Sequence, residues 1–269
     1  ARYGMPHAPP MKFLAVRYGL SIACFVLWVL FARARWPRGG AQWWHLAVTG
    51  VLMHGGYLGG VWAAVKSGLG AGAVALIVGL QPVLTALWVA HVAGGGERVA
   101  PRQWAGLALG FVGLVLVVGP KLGAGEVGAW ALALAVAALL SITAGTLYQK
   151  RHVQACDVRT ASCVQLAAAL LATAPLALLE TEAMDWQPAL VGAMAWSVLG
   201  LTLGGASLLY LLIQRGAATS VTALLYLVPP CTAAMAWLLF AEPLTPAVLL
   251  GFAVTAAGVA LVVRTPAPA

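Results

Sequence analysis

Apolar runs of roughly 20 residues, separated by short loops that hold nearly all the charge, follow one another along the whole 269-residue chain. An α-helix needs about 20 residues to cross the ~30 Å of hydrocarbon in a bilayer. Barrel strands would instead alternate apolar and polar positions over ~10 residues, and the chain has no such alternation. The runs therefore predict an all-α integral membrane protein. With 62% apolar and only 8% charged residues, and a mean hydropathy of +0.93, an ordinary soluble domain is excluded.

Nine spans are predicted: Met11–Arg33, Trp44–Ala64, Gly70–Val92, Pro101–Gly119, Val127–Gln149, Arg159–Leu179, Ala189–Ile213, Ala218–Phe240 and Pro246–Arg264. They are not independent of one another. A shift of 148 residues lays Ala75 on Ala223, Leu76 on Leu224, Pro82 on Pro230 and Ala86 on Ala234, and also Arg17 on Gln165. Further along, a shift of 145 lays Glu97 on Glu242, Pro101 on Pro246, Gly106 on Gly251 and Gly113 on Gly258. Internal repeats fix architecture, and this one divides the chain into a first repeat at 1–121 and a second at 122–269. In this register Val127 falls opposite a position about 20 residues before Ala1, the length of one span. The expectation is a parent of ten helices, five per half, with nine present here and the first repeat lacking its first.

Loop charges set the orientation. If the loops after Arg33, Val92, Gln149 and Ile213 lie with the C-terminus on one side, that side gathers ten of the fifteen Lys and Arg residues. The opposite side gathers five of the seven carboxylates: Glu126, Glu180, Glu182, Asp185 and Glu242. The positive-inside rule makes the first side, and the C-terminus, cytoplasmic. Five helices per half then put the two repeats in opposite orientations, the inverted-topology arrangement of secondary transporters. The net charge of +8 is dispersed among loops and forms no continuous basic face, so nucleic acid is not an expected partner.

Several motifs are duplicated in order. Each half has an apolar run with a mid-span proline, a loop Glu ahead of Pro101 or Pro246, and glycines seven apart at 106/113 and 251/258. With MHGGYLGGVWAAVKSG at 53–68 and VRYG at 16–19, the chain resembles the EamA-type branch of the drug/metabolite transporter superfamily along essentially its whole length. It departs from that branch in lacking the first helix. The resemblance implies a ten-helix transporter of small metabolites, often an exporter, in the inner membrane. It names no substrate.

Candidate substrate-site residues follow from the cost of polarity and irregular backbone at membrane depth. Pro82, and Pro229 with Pro230, interrupt Gly70–Val92 and Ala218–Phe240 at matching depths. A mid-helix proline frees carbonyls, which is tolerated where they line a cavity or are buried in protein. Matching breaks in two inverted halves point to a shared central site, although a packing kink would give the same pattern. Gln81 precedes Pro82 and suits either a solute contact or a helix-to-helix hydrogen bond. His54 is central in its span with Tyr57 nearly a turn later. A histidine there is a functional candidate and a possible proton carrier, or else a neutral imidazole bonded to a neighbouring helix. Tyr210 and Tyr226 are candidates for aromatic walls. Arg17, whose long stem can snorkel, reads as a structural clamp ahead of the alternative of a substrate contact. No span holds an Asp or Glu at its centre, which favours an amino-acid-like or other neutral or zwitterionic solute over a lipophilic cation.

Other functional classes find little support. The four cysteines lack CxxC spacing, so neither a disulfide framework nor a metal site is expected. The spans offer no HExxH, no GxSxG and no carboxylate pair, which argues against an intramembrane enzyme and against a cofactor. The loops are too short to hold a partner domain, which weakens a pure assembly role. The reading that remains is a membrane transporter exporting a small solute by alternating access, with protons as the candidate coupling ion.

Overall fold

The computed structural model describes residues 4, 6–81, 84–85, 88, 101–123, 128–206, 208, 235, 237–238 and 245–263. Among the described residues the regular structure is helical throughout. The elements are α1 (Pro10–Ala32), α2 (Gly40–Gly50), a π-helical segment at Val51–Gly56, α3 (Tyr57–Lys66), α4 (Ala71–Val78), α5 (Pro101–Gly123), α6 (Ala129–His152), α7 (Val158–Leu179), α8 (Pro188–Ala195), a second π-helical segment at Trp196–Ala206, and α9 (Pro246–Val263). Among the described residues five helical stretches are long and apolar enough to cross a membrane: Pro10–Ala32, Gly40–Lys66, Ala129–His152, Val158–Leu179 and Pro188–Gly205. Their ends fall within about four residues of the predicted spans, except that the predicted end at Ile213 lies outside the described residues. Apolar side chains such as Phe31, Leu178 and Leu171 are 75–87% exposed, as expected where lipid tails rather than water are the solvent.

The chain forms two compact units, each assembled from both halves of the sequence. The first comprises Ala1–Lys66 with Ala144–Val221, and the second Ser67–Thr143 with Thr222–Ala269.

In the first unit α1 packs along α7 in antiparallel fashion. The Glu180 carboxylate, just past the end of α7, accepts the backbone N–H groups of Met11 and Lys12 at 2.9 and 2.8 Å. The first turn of a helix has N–H groups without intrahelical partners and the positive end of the dipole, so a carboxylate from α7 satisfies both needs. At the far end the Thr160 hydroxyl donates to the Arg35 carbonyl at 3.2 Å. Between these ends Phe13, Leu14, Tyr18, Phe25, Leu166 and Ala169 are fully or almost fully buried, and Phe13 stacks on Trp62 of α3 at 4.2 Å. Alongside, α2 follows α7: Leu46 packs on Ala161 and Val164, and Gly50 runs so close that a Cβ there would collide with the Gln165 backbone.

Charge is sorted between the two ends of this unit. Lys12, Lys66 and His7 meet the 180–185 loop, with Lys66 Nζ 2.8 Å from Glu182 Oε2 and His7 Nδ1 3.4 Å from Asp185 Oδ2. Arg33, Arg35, Arg38 and Arg159 lie at the other end of α1 and α7, where Thr160 meets Arg35.

In the second unit α5 and α9 pack through glycine. A Cβ on Gly113 would stand 2.6 Å from the Gly251 carbonyl, and one on Gly258 would stand 2.5 Å from the Gly106 carbonyl. A residue late in each helix thus meets one early in the other, so α5 and α9 are also antiparallel. These four glycines are the ones the 145-residue shift pairs, 106 with 251 and 113 with 258. Small residues allow this backbone approach, and dispersion over it drives helix association in lipid.

Gly113→Ala should therefore destabilise the protein by about 1–3 kcal/mol through overpacking. Gly192→Ala, where an added Cβ meets nothing within 4 Å, should be neutral or stabilising by up to ~1 kcal/mol. Thermal unfolding in detergent measures both.

Candidate functional site

A group of polar residues in the first unit gathers where α1 and α7 meet the two π-helical segments. A π-helix bonds N–H to the carbonyl five residues back, which widens the helix and disturbs the regular ladder; such turns are frequent at functional sites. At the end of the Val51–Gly56 segment the Tyr57 N–H reaches the Leu52 carbonyl. The neighbouring helix meets the disturbed backbone, with the Tyr18 hydroxyl donating to the His54 carbonyl at 2.6 Å. In the second segment the Thr202 hydroxyl donates five residues back, to the Ser197 carbonyl at 2.9 Å.

That bond leaves both lone pairs of Thr202 Oγ1 as acceptors. Arg17 takes them, with Nε at 3.3 Å and Nη2 at 3.0 Å. Arg17 is 8% exposed and Thr202 6%, so the guanidinium turns inward onto Thr202 rather than snorkelling along its stem. A guanidinium has five N–H donors, and the two that Thr202 occupies leave the others for something else. Among the described residues Arg17 has no carboxylate partner. His54 and Tyr57, both half-buried, lie within electrostatic range of it, and Gln165 lies near His54. One turn beyond Arg17 on α1, the buried Ser21 hydroxyl has no hydrogen-bond partner among the described residues.

The arrangement is doubled. The shift of 148 that lays Arg17 on Gln165 also lays His54 on Thr202. Arg17 beside Thr202 and Gln165 beside His54 therefore occupy corresponding positions in the repeat register, each pair placing a residue of α1 or α7 next to a π-helical segment.

Residues 1–119 and 129–264 match the EamA-like transporter family. The chain belongs to that family. As an EamA-family member it is a multi-pass membrane transporter, which must bind a small-molecule substrate and sit in a lipid bilayer. A solved structure described only as "Crystal structure of protein" shares 19% identity over 97% of this chain and 91% of its own, with a TM-score of 0.63. That likeness shows the fold alone. No curated protein matches the chain.

Of the residues singled out from the sequence of this EamA-family chain, His54 and Tyr57 stand beside Arg17 in the first unit. Gln81 lies in the second unit, half-buried and helical. Pro82, Tyr210, Tyr226, Pro229 and Pro230 lie outside the described residues. Tyr18, Gln165 and Thr202 escaped sequence reasoning, because a tyrosine, a glutamine and a threonine in apolar runs carry no signature. One signal was available: carrying the repeat register from His54 leads to Thr202, just as carrying it from Arg17 leads to Gln165.

Thr202→Val should lower stability by about 1–3 kcal/mol, since it strands Arg17 N–H donors away from water. Thr202→Ser keeps the hydroxyl and should stay near wild type. Denaturation in mixed micelles separates the two outcomes.

Proposed function

We propose that this transporter exports a small amino-acid-like, neutral or zwitterionic solute by alternating access, and that Arg17, His54 and Tyr57 contact it. The observation that carries this reading is the buried Arg17 guanidinium, which has spare N–H donors and, among the described residues, no carboxylate to neutralise it. A charge at membrane depth is costly unless paired. A solute carboxylate would complete it through charge-assisted hydrogen bonds, the stronger kind. A cationic solute would meet repulsion there. His54 is the proposed carrier of a coupling proton.

In this reading residues 1–121 and 122–269 are two repeats of opposite orientation in the inner (plasma) membrane, with the C-terminus cytoplasmic. Support comes from the mate pairs: α1 with α7, and α5 with α9, are related by the sequence shifts, and each pair packs antiparallel. The gathering of Arg33, Arg35, Arg38 and Arg159 at one end of the first unit, and of Glu180, Glu182 and Asp185 at the other, supports the sidedness.

The test is uptake of labelled zwitterionic amino acids into proteoliposomes holding the full-length chain, with and without a pH gradient. Wild type should carry at least one of them, and excess of that substrate without label should compete. Arg17→Gln should lower flux at least about tenfold, the equivalent of one charge-assisted bond of roughly 1.4 kcal/mol. Arg17→Lys should retain part of it. His54→Ala should remove the response to the pH gradient. Undiminished flux in Arg17→Gln, or no flux with any zwitterion alongside clear flux of a cation, would overturn the reading.

A further inference from the structure

At the arginine-bearing end of the first unit the chain leaves α1 through Arg33, which takes the left-handed conformation at φ 49°, and reaches α2 only at Gly40. The loop before α7 is tied to the start of α2. Gln42 Nε2 donates to the Gln154 carbonyl at 2.9 Å, and the Gln154 N–H returns a bond to Gln42 Oε1 at 3.2 Å. With the Thr160 bond to Arg35, these contacts fix a recess of about 940 Å³ between the two loops.

Four arginines line this recess, Arg33, Arg35, Arg38 and Arg159, against one aspartate, Asp157. The aspartate is already committed. Arg159 reaches it through Nε at 2.9 Å and Nη2 at 2.6 Å, and that side-chain bonding holds the Asp157 carboxyl below its usual range. Arg159 also stands over the Trp28 ring at 5.6 Å. Arg33, Arg35 and Arg38 are exposed and, among the described residues, have no acidic partner. The recess is thus tied together by hydrogen bonds, and three of its positive charges have no acidic partner among the described residues.

Its depth indicates what would compensate them. It opens where α1 ends and α7 begins, at the level where a bilayer passes from acyl chains to headgroups. Leu30 and Phe31, on the last turn of α1, are 66% and 87% exposed. Trp36 and Trp43 stack at 5.7 Å on the same rim, and tryptophan favours that interfacial level. Guanidinium pairs with phosphate oxygens in a two-point geometry, and basic pockets at helix ends suit anionic headgroups.

We propose that this recess holds the phosphate headgroup of an anionic phospholipid, with Arg33, Arg35 and Arg38 supplying the charge and the acyl chains lying along Leu30 and Phe31. The site lies away from the Arg17 cluster and does not depend on what the protein transports.

The test is to purify the full-length chain from vesicles of equal phosphatidylcholine and phosphatidylglycerol and to quantify the lipid that stays bound. Phosphatidylglycerol should be enriched. In the triple variant Arg33→Gln, Arg35→Gln, Arg38→Gln its affinity should fall about fivefold per arginine removed. The pair Arg35→Gln, Arg38→Gln leaves the helix end at Arg33 intact and should show two thirds of that loss on a logarithmic scale. Lys150→Gln with Arg151→Gln alters the basic end of α6, outside the recess, and should leave the enrichment unchanged. Unchanged enrichment in both arginine variants would overturn the proposal. Equal loss in the Lys150 and Arg151 pair would also do so, because it would mean diffuse attraction to the surface. Displacement of the lipid by glycerol phosphate at equal concentration would assign the recess to free phosphate esters and sink the proposal too.

Discussion

A guanidinium inside a bilayer has no water to fall back on, and much of the first unit is arranged around that fact. Arg17 lies deep in α1 and is met by a threonine whose hydroxyl is already oriented by a carbonyl of its own helix. The five-residue reach of that internal bond belongs to a π-helical turn. The local widening of Trp196–Ala206 and the acceptance of a charge from α1 are therefore linked. The same logic runs in the other half, where Val51–Gly56 is widened, Tyr18 meets its backbone and Gln165 meets His54.

Helix ends are handled by the same principle of borrowed partners. The start of α1 is capped by Glu180 rather than by a residue of its own sequence, since Pro9 at its N-cap makes no side-chain bond. α7, by contrast, is capped locally by Asp157, which accepts the Arg159 N–H. One mate is thus closed by a long-range carboxylate and the other by a neighbour. The repeat fixes where the helices lie and leaves their chemistry free to diverge. That divergence is also what makes the central contacts unequal, with a fixed charge on one side of the pseudo-symmetric pair and a glutamine on the other.

Two kinds of helix contact hold the mate pairs. α5 meets α9 backbone to backbone through reciprocal glycines, a contact dominated by dispersion, with little tolerance for added atoms. α1 meets α7 through large side chains in the middle and hydrogen bonds at the ends. The first brings the two backbones close together. The second relies on side chains, and the Arg17 cluster is found in that unit.

The apolar runs alone determined that the chain is helical and membrane-spanning, because no other regular structure of that length satisfies its backbone in lipid. The doubled glycines at 106/113 and 251/258 marked the two helices, α5 and α9, that pack on each other. Span ends were legible to within a few residues, since charges and prolines mark the bilayer boundary: Met11–Arg33 was expected and Pro10–Ala32 is observed. His54 and Tyr57 were legible as candidates because polarity at that depth is conspicuous. The π-helical turns were not, since a one-residue change in hydrogen-bond register leaves no trace in an apolar sequence. Nor was the partner of Arg17, 185 residues away. Only packing α1 against the second half decided whether that charge would reach for the surface or turn inward, and a threonine hydroxyl held in place by the Ser197 carbonyl turned it inward.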